Sequence, residues 1–417
     1  MGLLTRTTML LALTAVMASN GAAAGPRIVL PQYRLQPDQL GVVVNDEDPL
    51  SVRIARYYQR KRHIPARNMI HVRFTPGHNY MAPDEFKRIK ADVDRETPSA
   101  VQAYALTWAA PFRVGCMSIT TAFAVGFDRR YCSSKRCGRT HASPYYDSPS
   151  IAPYRDYGMR PTMELAATSF ARAKALIDRG VAADDSDPSG TAYLVSTSDK
   201  ARNVRAVFYP RVKKLFGQSI RIRIVHANAI RNRHDVLFYF TGEVHVPDLD
   251  TLTFRPGAIA DHLTSAGGQL FGGRQMSSLR WLQAGATGSY GTVVEPCNYL
   301  QKFPNPAVVM RWYLRGETLL GAYWKSVAWP GQGLFIGEPL ASPFGGYRLQ
   351  VRADALWLDT HVLAPGRYRL QTAPSPVGPY RNRNVVITAR FGQTRFRLPR
   401  LNAPVYRLQP LPAQNGL

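Results

Sequence analysis

Behind two apolar runs of this sequence stand groups suited to covalent chemistry: Thr241-Gly242-Glu243 with His245, and His262-Leu263-Thr264-Ser265. A serine attacks a carbonyl only when a base takes its proton and a third group orients that base. Ser265 as nucleophile, His245 or His262 as base and Glu243 as orienter make a sufficient set wherever the fold converges them. Cys297 offers a thiol instead. A thiol needs a histidine beside it to become a thiolate, and its commoner use is a disulfide or a buried sulfhydryl. Asn45, Thr241, Thr264 and Glu295 also follow apolar runs and can hold a ligand by hydrogen bonds. The same residue types cap helices and close turns.

Other chemistries lack their residues. The chain has no G-x-S-x-G elbow, no Walker A loop, no H-E-x-x-H and no dinucleotide fingerprint in a βα turn, so no cofactor is expected. Cys132-Ser-Ser-Lys-Arg-Cys137 is not followed by a second Cys or His pair at zinc spacing, so no metal is expected either. Gly285 to Gly291 is glycine-rich but lacks the lysine of a phosphate loop, which suits a tight crossing against a sheet.

Strand ends converge only in a sheet, where ligands bind outside the carboxyl ends of parallel strands. From Gly41 onward apolar, β-branched runs alternate with amphipathic stretches, the pattern of a mostly parallel α/β sheet with flanking helices. Strands are predicted at GVVVN, NMIHVRF, VQAYALTW, TAYLVST, IRIRIVH and DVLFYFTG. Asp48 caps a first helix with Pro49 at its first position. Further helices are predicted over 83–95, 162–179, 200–216 and 305–325. The stretch 116–159, rich in Ser, Tyr, Arg and Pro, reads as an insertion into an α/β domain spanning 25–344.

After Gly345 the pattern becomes period two, with Pro and Gly turns, which predicts a small antiparallel β-sandwich over 345–417. This segment has eleven arginines, no lysine, and only Asp354 and Asp359 as acids. Period two sets Tyr347, Leu349 and Val351 on one face and Arg348 and Arg352 on the other, a pattern repeated at Arg367/Arg369 and Arg395/Arg397, so Arg369 and Arg397 are expected on one arginine face. The whole chain carries a formal charge of +25. A field of that sign attracts acidic polysaccharide or another envelope polyanion, and guanidinium groups suit carboxylate, sulfate and phosphate.

The first 24 residues have a basic start at Arg6, an apolar core and Ala22-Ala23-Ala24, the pattern of a signal peptide. No later stretch reaches the roughly 20 apolar residues of a membrane span. A periplasmic or secreted chain follows, and with it no nucleic-acid partner. In that compartment disulfides are the default. The short polar spacing of Cys132 and Cys137 predicts a local clip, with Cys116 and Cys297 either paired or free.

Five blocks are distinctive: VVVNDEDPLSVRIARYYQRKRHIPARNMI, AIADHLTSAGG, SSLRWLQAGATGSYGTVVEP, FPNPAVVMRWYLRGETLLGAYWKSV and GLFIGEPLASPF. Together they resemble an uncharacterised family of exported bacterial proteins found in genomes that carry the exosortase and PEP-CTERM sorting system. The resemblance runs from about Gly41 to Phe344 and implies export without assigning an activity. A more distant resemblance is to caspase-like cysteine peptidases of the gingipain type. Those chains also have a helix with a tyrosine pair, an Arg-x-Ile-Pro-like turn, a Gly-Glu-Thr-Leu helix and a Gly-Asp-Pro-Leu stretch, here Gly337-Glu338-Pro339-Leu340. It implies a caspase/flavodoxin-like sheet. Where those peptidases carry His-Gly, this chain has Thr241-Gly242-Glu243, and where their cysteine follows the next strand, it has Thr264-Ser265. The scaffold is therefore expected without its Cys/His dyad, as a binding or assembly factor at the cell envelope. The alternative is a hydrolase with a rebuilt serine site.

Overall fold

A computed structural model describes residues 25–133 and 137–412, so the segment read as a signal peptide lies outside the described residues. Local signals set the elements. Asp48 accepts the Leu50 N–H and Pro49 opens the helix Pro49–Arg62, which ends where His63 turns left-handed at φ 54°. Pro83–Glu96 follows as predicted, with Phe86, Ile89 and Val93 buried.

The α/β region is built on a ten-stranded sheet. From one edge to the other its strands are Arg221–His226, Thr191–Ser196, Arg233–Thr241, Leu252–His262, Gly288–Thr292, Gly333–Gly337, Thr162–Glu164, Ala103–Leu106, Leu40–Asn45 and Met69–Val72. The sheet is mostly parallel, but it consists of two parallel blocks of opposite direction. They meet at the antiparallel pair Gly288–Thr292 and Gly333–Gly337. Both faces are covered, which is why these strands read as continuous apolar runs.

Three predicted helices change. The range 200–216 is a 3-10 helix, Asn203–Phe208, followed by the α-helix Tyr209–Phe216. The range 162–179 begins with the strand Thr162–Glu164, and its helix is Phe170–Ala183, capped by Ser169. The range 305–325 is two helices, Pro306–Leu314 and Leu319–Trp324, parted at Gly316 with φ 82°.

The motif residues behind the gingipain-type resemblance serve packing. Glu338 is fully buried and accepts from Tyr58 Oη at 2.7 Å and Arg62 Nε at 2.9 Å, tying the first helix to the end of the strand Gly333–Gly337. Glu317 and Lys325 form a second buried pair at 2.6 Å. Removing one partner of such a pair costs about 3–5 kcal/mol, because the other charge is left buried alone.

The predicted clip between Cys132 and Cys137 is not formed. Cys116 pairs with Cys132 and Cys137 with Cys297. Short spacing in sequence lost to spatial proximity: the insertion folds back so that Cys137 reaches the turn after Gly288–Thr292, where Cys297 is left-handed at φ 54°.

The C-terminal residues form two small sheets packed face to face. One holds Arg348–Val351, Ala355–Asp359 and Arg395–Pro399; the other holds Val405–Pro410, Gly366–Ala373 and Arg381–Ala389. Leu356, Leu358, Tyr368, Leu370, Phe396, Leu398 and Leu408 fill the space between them. The second sheet gains a strand from the other end of the described chain, since Arg27–Val29 pairs in parallel with Val405–Pro410. Among the described residues no helix is long and apolar enough to cross a membrane.

Candidate functional site

Four neighbouring parallel strands, Thr191–Ser196, Arg233–Thr241, Leu252–His262 and Gly288–Thr292, end on a shared rim. A buried clamp sets their spacing. Arg205 pairs with Asp261 and donates through Nη2 to the Thr241 carbonyl at 2.8 Å, while Tyr323 donates to Asp261 Oδ2 at 3.3 Å. Thr197 Oγ1 donates to the Gly242 carbonyl at 2.7 Å. A Cβ on Gly242 would meet the Arg202 carbonyl oxygen at 2.1 Å, so only glycine lets these two loops touch.

Beyond His262 the chain crosses over Gly288–Thr292. A Cβ on Gly291 would lie 2.3 Å from the backbone of Gly267 and Gly268. Thr292 Oγ1 donates to the Ser265 carbonyl at 3.0 Å and the Thr264 carbonyl at 3.2 Å. The glycine-rich stretch is thus a crossing, with Gly288–Thr292 itself the strand.

Thr264 is buried and its hydroxyl is committed: Oγ1 donates to Gln275 Oε1 at 2.7 Å and accepts from Arg202 Nε at 3.2 Å. Gln275 Oε1 also accepts the Ala266 N–H at 2.7 Å, and Arg202 Nη1 donates to Asp199 Oδ2 at 2.8 Å. Ser265 is half-buried, and its hydroxyl has no hydrogen-bond partner among the described residues. Glu243 is half-buried too. Burial first, and then the charge of Asp199, raise its carboxyl above the usual range. His245, two residues on, is exposed.

His262 does not serve as a base. It is 1% exposed; its Nδ1 accepts from Trp281 Nε1 at 2.9 Å, and its Nε2 lies 3.0 Å from the Met276 carbonyl. A carbonyl only accepts, so the proton sits on Nε2 and both ring nitrogens are occupied. Burial pushes its pKa down to about 3, which keeps the ring neutral. Glu295 closes its own turn, its carboxylate accepting the Cys297 N–H at 2.7 Å. Thr241 Oγ1 is buried without a partner among the described residues.

Asn45 does not join the rim. Its strand lies five places from Leu252–His262, about 24 Å across the sheet at ~4.8 Å per strand, and in the block of opposite direction. There it bonds the Phe74 backbone through Nδ2 at 2.9 Å and Oδ1 at 3.2 Å, a structural bridge between strand ends. Arg369 and Arg397 do not share a surface either, since they project from different sheets of the sandwich. Sequence reasoning missed Arg202 and Gln275. Arg202 stands three residues after Asp199, a legible ion-pair spacing, whereas Gln275 reaches Thr264 only through the fold of its loop.

No family model matches the chain, and no curated protein matches it. Two solved structures are similar over most of its length. One, described as "Structure of Protease", has TM-score 0.46 and 9% identity, covering 88% of this chain and 98% of that one. The other is the complex of Porphyromonas gingivalis RgpB pro- and mature domains, with TM-score 0.44 and 7% identity, covering 88% of this chain and 100% of that one.

Proposed function

We propose that the chain is an exported binding or assembly factor of the cell envelope, and that its ligand contacts lie on the strand-end rim at Glu243 and Ser265, which the buried Thr264 braces from beneath. One observation carries this reading: of the strand-end groups, the imidazole of His262 and the hydroxyl of Thr264 are spent on the protein itself, which leaves Glu243 and Ser265 half-exposed on the rim. Thr264 Oγ1 is held by Gln275 and Arg202, and His262 by Trp281 and Met276. A group so held cannot relay a proton, whereas a rim of half-exposed polar groups can grip a ligand. Two disulfides and the signal-like N-terminus support export, and the exosortase-associated motifs support an envelope setting.

One observation favours a second reading. Ser265 Oγ is unbonded, and the exposed His245 and the raised carboxyl of Glu243 flank the same rim. A hydrolase would need His245 to reach Ser265. Treating the purified protein with a fluorophosphonate probe separates the two readings. The binding reading expects no adduct; an adduct on Ser265 that is lost in His245→Ala establishes the hydrolase instead.

A further inference from the structure

The sandwich sorts its arginines by charge balance. Both acids of residues 345–417 lie with the three-stranded sheet, where Arg397 Nη2 contacts Asp354 Oδ2 at 2.5 Å and Arg395 Nε lies 3.6 Å from Asp359 Oδ1. Arg395 also lies over the Trp357 ring at 4.9 Å. The pair Arg395 and Arg397 of that sheet is thus compensated, whereas Arg352 and Arg400 beside it meet no carboxylate within 4.0 Å among the described residues.

The outer face of the four-stranded sheet has no such compensated pair among the described residues. Tyr368 and Leu370 point into the core, so Arg367 and Arg369 point outward and are exposed. Neither has a carboxylate within 4.0 Å among the described residues. Arg407, opposite Gln371 in the register, is pre-oriented: its Nε donates to Gln371 Oε1 at 2.6 Å, and its guanidinium lies 3.5 Å above the Tyr380 ring. Gln371 Nε2 in turn donates to Asn382 Oδ1 at 2.8 Å. Gln409 stands opposite Arg369.

We propose that this face is a docking surface for a linear acidic polysaccharide. Outward residues repeat about every 7 Å along a strand and about 5 Å between strands. The array therefore offers guanidinium groups to a regular row of carboxylates, with amides between them for sugar hydroxyls. Charge complementarity selects a polyanion. Single-stranded nucleic acid would need open aromatic faces for its bases, and here the Tyr380 ring is covered by Arg407. An anionic membrane surface would attract the same guanidinium groups but offers no regular row of carboxylates to match the array, and anionic vesicles enter the test as the competitor. The proposal is independent of the strand-end rim.

The test is binding of the full chain to polygalacturonate at low ionic strength, with dextran as the uncharged control. Arg367→Gln/Arg369→Gln is compared with Arg395→Gln/Arg397→Gln, which removes the same formal charge from the compensated pair. The first pair should weaken binding about tenfold and the second less than about twofold, with affinity falling as salt rises. Equal weakening by both pairs would reduce the effect to net charge and overturn the face. So would failure to bind polygalacturonate, equal binding to dextran, or tighter binding to single-stranded DNA or anionic vesicles.

Discussion

Replacing Cys137 and Cys297 together by serine opens a covalent loop spanning 160 residues, whereas replacing Cys116 and Cys132 opens one spanning 16. The entropy a crosslink removes from the unfolded chain grows with the logarithm of loop length. It comes to about 5 kcal/mol for the long loop and about 3 kcal/mol for the short one. The first double variant should therefore be the less stable by about 2 kcal/mol, read as a lower urea midpoint under non-reducing conditions. The long-range bond also anchors the insertion beside the candidate rim, so its loss should raise protease sensitivity over 137–142 before global unfolding. Non-reducing peptide mapping identifies the partners directly. A peptide joining Cys132 to Cys137, or a Cys137/Cys297 variant no less stable than the Cys116/Cys132 one, would refute the reasoning.

Two buried groups give pH-dependent expectations of opposite sign. His262 has its folded pKa depressed to about 3 against about 6.5 unfolded, so its contribution is present above about 6.5 and lost as pH falls toward 3. Stability should drop by about 2 kcal/mol between pH 7 and 5, and His262→Gln should flatten that part of the profile in thermal denaturation. Glu164 is fully buried, with neither carboxyl oxygen bonded among the described residues, and burial raises its pKa well above the usual carboxylate range. Its stabilising form is the neutral one, complete below about 4.5 and lost as pH rises toward the folded value. Glu164→Leu should stabilise the protein at pH 8 by about 1–3 kcal/mol, and a destabilised variant there would show that the carboxyl has a partner.

The main elements were legible because buried parallel strands write themselves as apolar runs, as in Val42 to Val44 and Leu237 to Phe240. Thr162–Glu164 was not, since three residues carry no period and the alanines that follow read as helix. The reversal of direction at Gly333–Gly337 was hidden in the long connection from 293 to 332, and this is why Asn45 was grouped with Thr264. Period two told which arginines face outward but not from which sheet of the sandwich, so Arg369 and Arg397 read as one surface. Thr264 and Ser265 were found as strand-end hydroxyls. Their partners Arg202 and Gln275 depend on loop geometry, and the loss of His262 as a base depends on Trp281 arriving 19 residues later in the chain.

The central claim, that function resides on the strand-end rim at Glu243 and Ser265, is tested most directly by complementation. Glu243→Ala and Ser265→Ala alter half-buried side chains that hold no structural bond to another side chain, so each should change stability by no more than about 0.5 kcal/mol. Expressed in a deletion strain at wild-type levels, with melting temperature measured on the same proteins, both variants should stay folded and fail to restore the phenotype. Full restoration by both folded variants would contradict the account.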